Sequence, residues 1–300
     1  HQEARRQRQM CIRDRYFSIL RPEDRVAVKP HASPVFHAIQ YLSGLQTREK
    51  IENFRGFGGA QSYPSRTKDI DDVDISTGSV GLGVAMTSFI SLIQDYIARK
   101  QFYKNKPLGR MIALVGDAEL DEGNVYECLQ EGWKHDLRNV WWIIDYNRQS
   151  LDGVVHEGLS ERLISVFSAF NWNLILLKYG KLQEEAFREP GGNKLRKWID
   201  DCPNQLYSAL IFEGGEAFKK RVLDDIGDQS EISNLINKRS DSEFLELMSN
   251  LGGHCISTLC ESFNKIKNDK PTAFIAYTIK GCGTPLAGHK VNHAGLMTIA

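Results

Sequence analysis

Short apolar runs with no polar break alternate along the chain with stretches in which apolar residues recur every three or four positions. Residues 111–115 (MIALV) and 140–144 (VWWII) are continuously apolar, as expected of strands buried on both faces of a parallel sheet. Between them, 121–135 opens with acidic residues, sets Val125, Leu129 and Trp133 on one helical stripe, and ends with Lys134 and His135. That order of charge suits a helix dipole. A strand, a helix and a strand predict a right-handed crossover that returns the second strand parallel to the first. Residues 77–83 (TGSVGLG) open a further helical run to about Lys100, in which Phe89, Leu92, Ile93, Tyr96 and Ile97 recur at helical spacing and are expected in the core. Residues 272–277 read as another strand, followed by the loop TIKGCG. At least one of Trp141 and Trp142 is expected to face the core. The pattern predicts an α/β fold, a doubly wound and mostly parallel sheet flanked by helices. A chain of 300 residues buries roughly 75% of its unfolded surface, enough for one large domain.

Composition narrows the function classes. Thirty-eight basic and 38 acidic residues balance, so the electrostatic footprint of a nucleic-acid binder is missing and no nucleic-acid partner is expected. The apolar stretch 80–97 is interrupted by Gly, Thr, Ser, Gln and Asp, which argues against a membrane span. Six cysteines without a CxxC pair read as free thiols of a reducing, cytoplasmic compartment. Residues 1–15 (HQEARRQRQMCIRDR) are basic and patternless, without the apolar core of a secretion signal. They contain Glu3 and Asp14 and no serine, which argues against a transit peptide. They are read as an unstructured or artefactual leader, and 16–300 as one domain.

Ligands of such sheets collect outside the carboxyl ends of the strands. Asp117 follows the first strand and Asn147 the second, and a carboxylate, an amide oxygen and a backbone carbonyl suit magnesium, a hard cation that seeks oxygen. A lone Gly-Asp after a strand is more often only a turn. Glycines before a helix, as at 77–83, are likewise often a turn, but they also let backbone approach phosphate at a helix N-terminus. His31 has the side chain for proton transfer near neutral pH.

Taken together, GDAE at 116–119, the spacing to the second strand end, and DYNRQSLDG at 145–153 resemble the thiamine diphosphate signature of the transketolase superfamily. Its usual form is Gly-Asp-Gly, a spacer, and Asn-Asn; here Ala118 takes the third position, and Asp145 and Tyr146 precede Asn147. The resemblance implies the thiamine diphosphate-binding fold, with thiamine diphosphate and magnesium as cofactors. It makes Asp117, Asn147 and the carbonyl of Gln149 the metal ligands, and puts Gly116, Ala118 and Glu119 beside the cofactor. Glu119 is expected either to reach the diphosphate side through water or to orient Asn147. Gly81 and Gly83 match the family's glycine-rich turn. His31 in HASP resembles its first active-site histidine, and Lys280 in TIKGCG a contact to cofactor or substrate. Tyr63 in SYP falls where the family places a polar substrate-pocket side chain, a surface-loop tyrosine being the equal alternative. His289 and His293 are four apart, but Pro285 and Gly288 argue for a loop rather than a helical metal site. The resemblance makes His289 a proton donor or substrate ligand, with His293 as the second candidate. Lys29 stands where the dehydrogenase relatives usually have glutamine.

RGFGGAQSYPS, TIKGCG and a charged helical insertion within 163–284 resemble, more narrowly, the homodimeric type of the decarboxylating component of the pyruvate dehydrogenase complex. The implied activity is decarboxylation of a 2-oxo acid, pyruvate foremost, with transfer of the acyl unit to a lipoyl-bearing acyltransferase. His31, His289, Tyr63 and Lys280 would form the catalytic set. Two alternatives stand beside it: a transketolase moving a two-carbon ketol unit between sugar phosphates, and an idle cofactor-binding fragment or scaffold. The family's activating glutamate lies on a pyrimidine-binding domain, expected C-terminal to this chain, in a homodimer or on a separate chain. The sequence therefore reads as a truncated gene model or one member of a split pair. Part of the 88–103 stripe is a candidate dimer interface on the same grounds.

Overall fold

The computed structural model describes residues 19–70, 72–102, 106–150, 153–154, 157–227 and 230–293; the leader at 1–15 lies outside these. Strands β1 (Arg25–Ala27), β2 (Met111–Gly116), β3 (Val140–Tyr146), β6 (Asn173–Leu177) and β7 (Thr272–Tyr277) form one sheet in the order β1-β2-β3-β7-β6. Every neighbouring pair is parallel. A short hairpin, β4 (Gln149–Ser150) with β5 (Gly153–Val154), follows β3 directly.

The central strands β2, β3 and β7 are apolar through their middles because both faces of the sheet are covered there. Ala113, Val115, Trp142 and Ile144 point to one side. There they meet α3 (Leu82–Arg99) through Val84, α4 (Gly123–Lys134) through Val125 and Leu129, and α5 (Leu159–Ala169) through Phe167. Ile112, Leu114, Trp141 and Ile143 point to the other side, against Phe36 of α1 (Ser33–Leu42) and Leu259 and Phe263 of α12 (Ile256–Lys265). Alternation of side chains across a strand divides each apolar run between two cores. Burying each of these large side chains stabilises the fold by about 1.5–3 kcal/mol. Both tryptophans are core residues, on opposite faces. Trp141 packs on Phe263 and Phe274, whereas Trp142 meets Trp172 and Phe167 and donates to Thr87 Oγ1 at 3.1 Å.

Between β6 and β7 the chain inserts α6 (Lys181–Ala186), α7 (Gly192–Asp201), α8 (Asn204–Glu213), α9 (Gly215–Ile226), α10 (Ser230–Asn237) and α11 (Asp241–Ser249). Leu195, Tyr207, Phe218 and Phe244 give this segment an interior continuous with the first face of the sheet. A short α2 (Arg48–Glu52) lies after α1.

Two expectations need correction. Phe89, Ile93 and Tyr96 of α3 are exposed, not core, while Val84, Ala85, Thr87, Ser88 and Ser91 are its buried residues. Small residues let this helix lie close on the strands, so its large apolar groups fall on the outer side. The helix expected from Asp121 starts at Gly123, after a 3₁₀ turn, Asp117–Asp121, whose geometry serves the site below. Among the described residues, no helix is long and apolar enough to cross a membrane.

Candidate cofactor site

Parallel strands put their carboxyl ends on one edge, and that edge is hollow. A cavity of about 470 Å³ is lined by Lys29 and His31 after β1, Asp117 and Glu119 after β2, Asp145, Asn147 and Gln149 around the end of β3, and Thr278 and Lys280 after β7. Asp121, Glu122, His254 and His293 add to its polar wall.

Asp117 is 5% exposed. Its two oxygens accept the N–H of Ala118 at 3.0 Å and that of Arg148 at 2.9 Å. Burial pushes its carboxyl up to about 6, with the charge of Asp145 adding and Lys29 and the two N–H donors opposing. A buried carboxylate held this way is incompletely compensated, as expected where a cation belongs.

Glu119 ties two parts of the site together. One carboxylate oxygen accepts from Gly81 N at 3.2 Å and the other from Gly116 N at 2.8 Å. It therefore orients the glycine turn on the end of β2, and not Asn147. Gly81 has φ +80° and leads into α3, and a Cβ there would stand 2.8 Å from Asn124 Oδ1 and 2.9 Å from Glu122 Cβ. Only glycine satisfies both the backbone and the space.

After β3 the chain reverses at Arg148, a non-glycine residue at φ +65°. Its guanidinium is buried over the rings of Tyr207 and Tyr277, 5.0 and 5.8 Å from their centroids. This anchor accounts for the rare backbone conformation, and the turn lets Asn147 and Gln149 both line the cavity. Gln149 N donates to Asn147 Oδ1 at 3.1 Å, and Gln149 Nε2 donates to Gly288 O at 3.3 Å. Gln149 Oε1 is buried with no hydrogen-bond partner. Among the described residues, no three His, Cys, Asp or Glu side chains cluster as a metal cage. One carboxylate with amide and carbonyl oxygens instead fits magnesium, which takes few protein ligands and leaves its other positions to phosphate and water.

Asp145, next along this edge, forms an ion pair with Lys29 and accepts from Thr278 Oγ1 at 2.5 Å. His254, absent from the sequence-based candidates, lies beside them. Its Nε2 accepts from Ile279 N at 2.8 Å, and burial holds its pKa down to about 4. The ring is thus neutral and fixes the loop that carries Lys280. The GGH triplet at 252–254 was the available signal. A Cβ on Gly253 would meet Tyr277 O and Thr278 Cγ2 at 2.6 Å each, so this segment must pass the end of β7 without a side chain.

The loop beyond Lys280 doubles back. Lys280 O accepts from Gly288 N at 3.1 Å and from Asn292 Nδ2 at 3.0 Å. That fold carries the His293 ring to 5.8 Å from His31, edge to face, at the cavity wall. His289 instead packs 4.5 Å from Phe212 of α8, and its Nδ1 accepts from Val291 N at 3.2 Å. It is not among the residues lining the cavity, and neither is Tyr63, which is 38% exposed and lies against Gly78. Gly83 faces Ala27 and Thr77 from within α3. Ala118 lines the cavity beside Asp117.

Residues 17–188, more than half of the chain, match the family described as transketolase, thiamine diphosphate binding domain. The chain belongs to that family. Similar members include the pyruvate dehydrogenase E1 component of Pseudomonas aeruginosa, 27% identical over 270 residues that cover 87% of this chain and 30% of the relative. That of Escherichia coli K12 is 26% identical over 267 residues, again 87% of this chain and 29% of the relative. The family chain thus spans less than a third of the length of these curated relatives. Among solved structures it is similar to transketolase from Leishmania mexicana, with TM-score 0.56 at 18% identity, covering 90% of this chain and 30% of that one. Transketolase from Campylobacter jejuni gives 0.53 at 20%, with 90% and 31% covered. These structures support the fold.

Proposed function

We propose that this chain forms the diphosphate- and magnesium-binding part of an enzyme that decarboxylates a 2-oxo acid, pyruvate foremost, and passes the acyl unit to a lipoyl-bearing acyltransferase. The observation that carries this reading is the convergence of Asp117, Asn147 and Gln149 at adjoining strand ends, in a chain whose relatives across 87% of its length are named pyruvate dehydrogenase E1 component. Bound thiamine diphosphate supplies a carbon nucleophile and an electron sink for the pair released with carbon dioxide. Asp117, Asn147 Oδ1 and the Gln149 carbonyl would hold magnesium, and the N-terminus of α3 behind Gly81 offers partial positive charge to a diphosphate. Lys280 extends toward the same space as a cation for the substrate carboxylate or the diphosphate. His31 and His293, in ring contact at the wall, would exchange protons with the reacting atoms, while neutral His254 holds the backbone of Ile279. In this reading His289 packs the loop and Tyr63 braces the glycine turn.

The reading also calls for a pyrimidine-binding domain, on the same polypeptide or another, and for pairing of two subunits. The exposed α3 stripe of Leu82, Met86, Phe89, Ile93 and Tyr96 supports such an interface. The test is calorimetric titration of the full-length protein with thiamine diphosphate, with and without magnesium, beside Asp117→Ala, followed by turnover of pyruvate against a ketose phosphate. Magnesium-dependent binding lost in Asp117→Ala, with release of carbon dioxide from pyruvate, is expected. Ketol transfer from the sugar phosphate without turnover of any 2-oxo acid would overturn the assignment.

A further inference from the structure

The cavity wall holds a charge pair that this function does not by itself require. Lys29 leaves the end of β1 and crosses Gly116, where its Cδ stands 3.8 Å from the position a Cβ on that glycine would take. It ends on the carboxylate of Asp145 at β3, whose other oxygen Thr278 holds. Because β2 lies between β1 and β3, the pair spans the strand that delivers Asp117. Both groups line the cavity, and their side chains are only 17% and 32% exposed. Water screens such charges weakly. Without its partner, Asp145 would add a further uncompensated carboxylate to Asp117, Glu119, Asp121 and Glu122, which also line the cavity.

We infer that Lys29 and Asp145 act as one unit, in which Lys29 cancels the charge of Asp145 and so admits an anionic diphosphate beside Asp117. Lys29 is then a positioning residue and not itself a diphosphate ligand. This rests on the diphosphate reading of the site.

The test compares Lys29→Gln, Asp145→Asn and the double variant in the full-length protein. Binding is measured by calorimetry with two probes, thiamine diphosphate and inorganic pyrophosphate, each with magnesium. A carboxylate left unpaired several ångströms from the anion should weaken both probes about tenfold in Lys29→Gln. Asp145→Asn should bind as tightly as the parent or tighter, and the double variant should return to within about threefold of the parent, well inside one tenfold step. Double-variant binding as weak as that of Lys29→Gln would show that Lys29 touches the anion itself, and would overturn the inference. Asp145→Asn weakened as much as Lys29→Gln would also overturn it, since a merely structural pair fails from either side. If Lys29→Gln does not fold, the double variant decides alone, its parent-like binding supporting the unit and weak binding refuting it. A parent that binds pyrophosphate but not thiamine diphosphate would sink the thiamine assignment while leaving the pair readable with pyrophosphate. A parent that binds neither probe overturns both.

Discussion

Replacing Glu119 by alanine tests whether the glycine turn and the end of β2 are held together as described. The carboxylate is 6% exposed and accepts two backbone N–H groups, that of Gly81 within a buried contact and that of Gly116 in a partly buried one. Truncation leaves both donors without an acceptor. A buried unsatisfied N–H costs about 1–3 kcal/mol. The Gly81 donor should cost near the upper end and the Gly116 donor, which water can reach, near the lower, for a total of about 4 kcal/mol. Glu119→Gln keeps one acceptor oxygen but turns an NH₂ toward the other donor, so it should recover less than half of that loss. Amide hydrogen exchange at Gly81 and Gly116 gives the local readout, and the urea midpoint at constant slope gives the global one. Faster exchange at Gly81 in Glu119→Ala, with a matching fall in midpoint, is expected. A loss below about 1 kcal/mol with exchange at Gly81 unchanged would refute the tie and return Glu119 to a role toward the ligand alone.

Three further outcomes follow from the same geometry. His254 has its folded pKa lowered to about 4 against an unfolded value near 6.5, so the unfolded chain takes up the proton first and stability falls as pH drops through that window, by up to about 3 kcal/mol. His254→Asn should remove this slope in pH-dependent urea unfolding relative to the parent; the raised carboxyl of Asp117 pulls the other way in both proteins and cancels in the comparison. Asp24, whose carboxylate is fully buried and accepts from Arg110 N at 2.7 Å and Arg21 N at 2.9 Å, has its pKa held below the usual range, against the cost of burial, by these and the guanidinium contacts. Asp24→Ala strands the partly buried Arg110 charge together with two backbone N–H donors and should cost about 3 kcal/mol in thermal or urea unfolding. Gly253→Ala places a methyl 2.6 Å from Tyr277 O and should cost about 1–3 kcal/mol as the segment shifts, with faster exchange at Ile279 N as His254 moves away.

The central strands were legible because a sheet covered on both faces asks only for unbroken apolar runs, and MIALV and VWWII supply them. Asp117 and Asn147 were legible for the same reason, since a residue just past a parallel strand has one edge on which to sit. Periodicity could not say which side of α3 is inside. The helix presses its small residues, Val84, Ala85 and Ser88, onto the strands, and hydrophobicity alone ranks Phe89 and Ile93 above them. The two histidines near 290 show a different limit. Their directions are set by Gly288 and Asn292 closing on Lys280 O and by Phe212, 77 positions from His289 in the chain, and no local pattern encodes those contacts. His254 escaped notice because its role is to accept a backbone N–H from a segment 25 positions away.

The order of the strands has a consequence for how the protein comes to be folded. Asp145 and Thr278 are 133 positions apart, with the whole helical insertion between them, yet β3 and β7 are neighbours at the centre of the sheet. Closing a loop of that length costs about 4 kcal/mol of chain entropy before any contact across it is made. The early helix and the β2–β3 pair can form from nearby sequence, but the edge bearing Thr278, Lys280 and His293 arrives only when β7 docks. Competence to bind is therefore expected to come late in folding, with the long-range pairing of β7 to β3. A ligand gripped by residues from both sides of that gap would act as a latch on the final strand, and its effect should be to slow unfolding more than to speed folding.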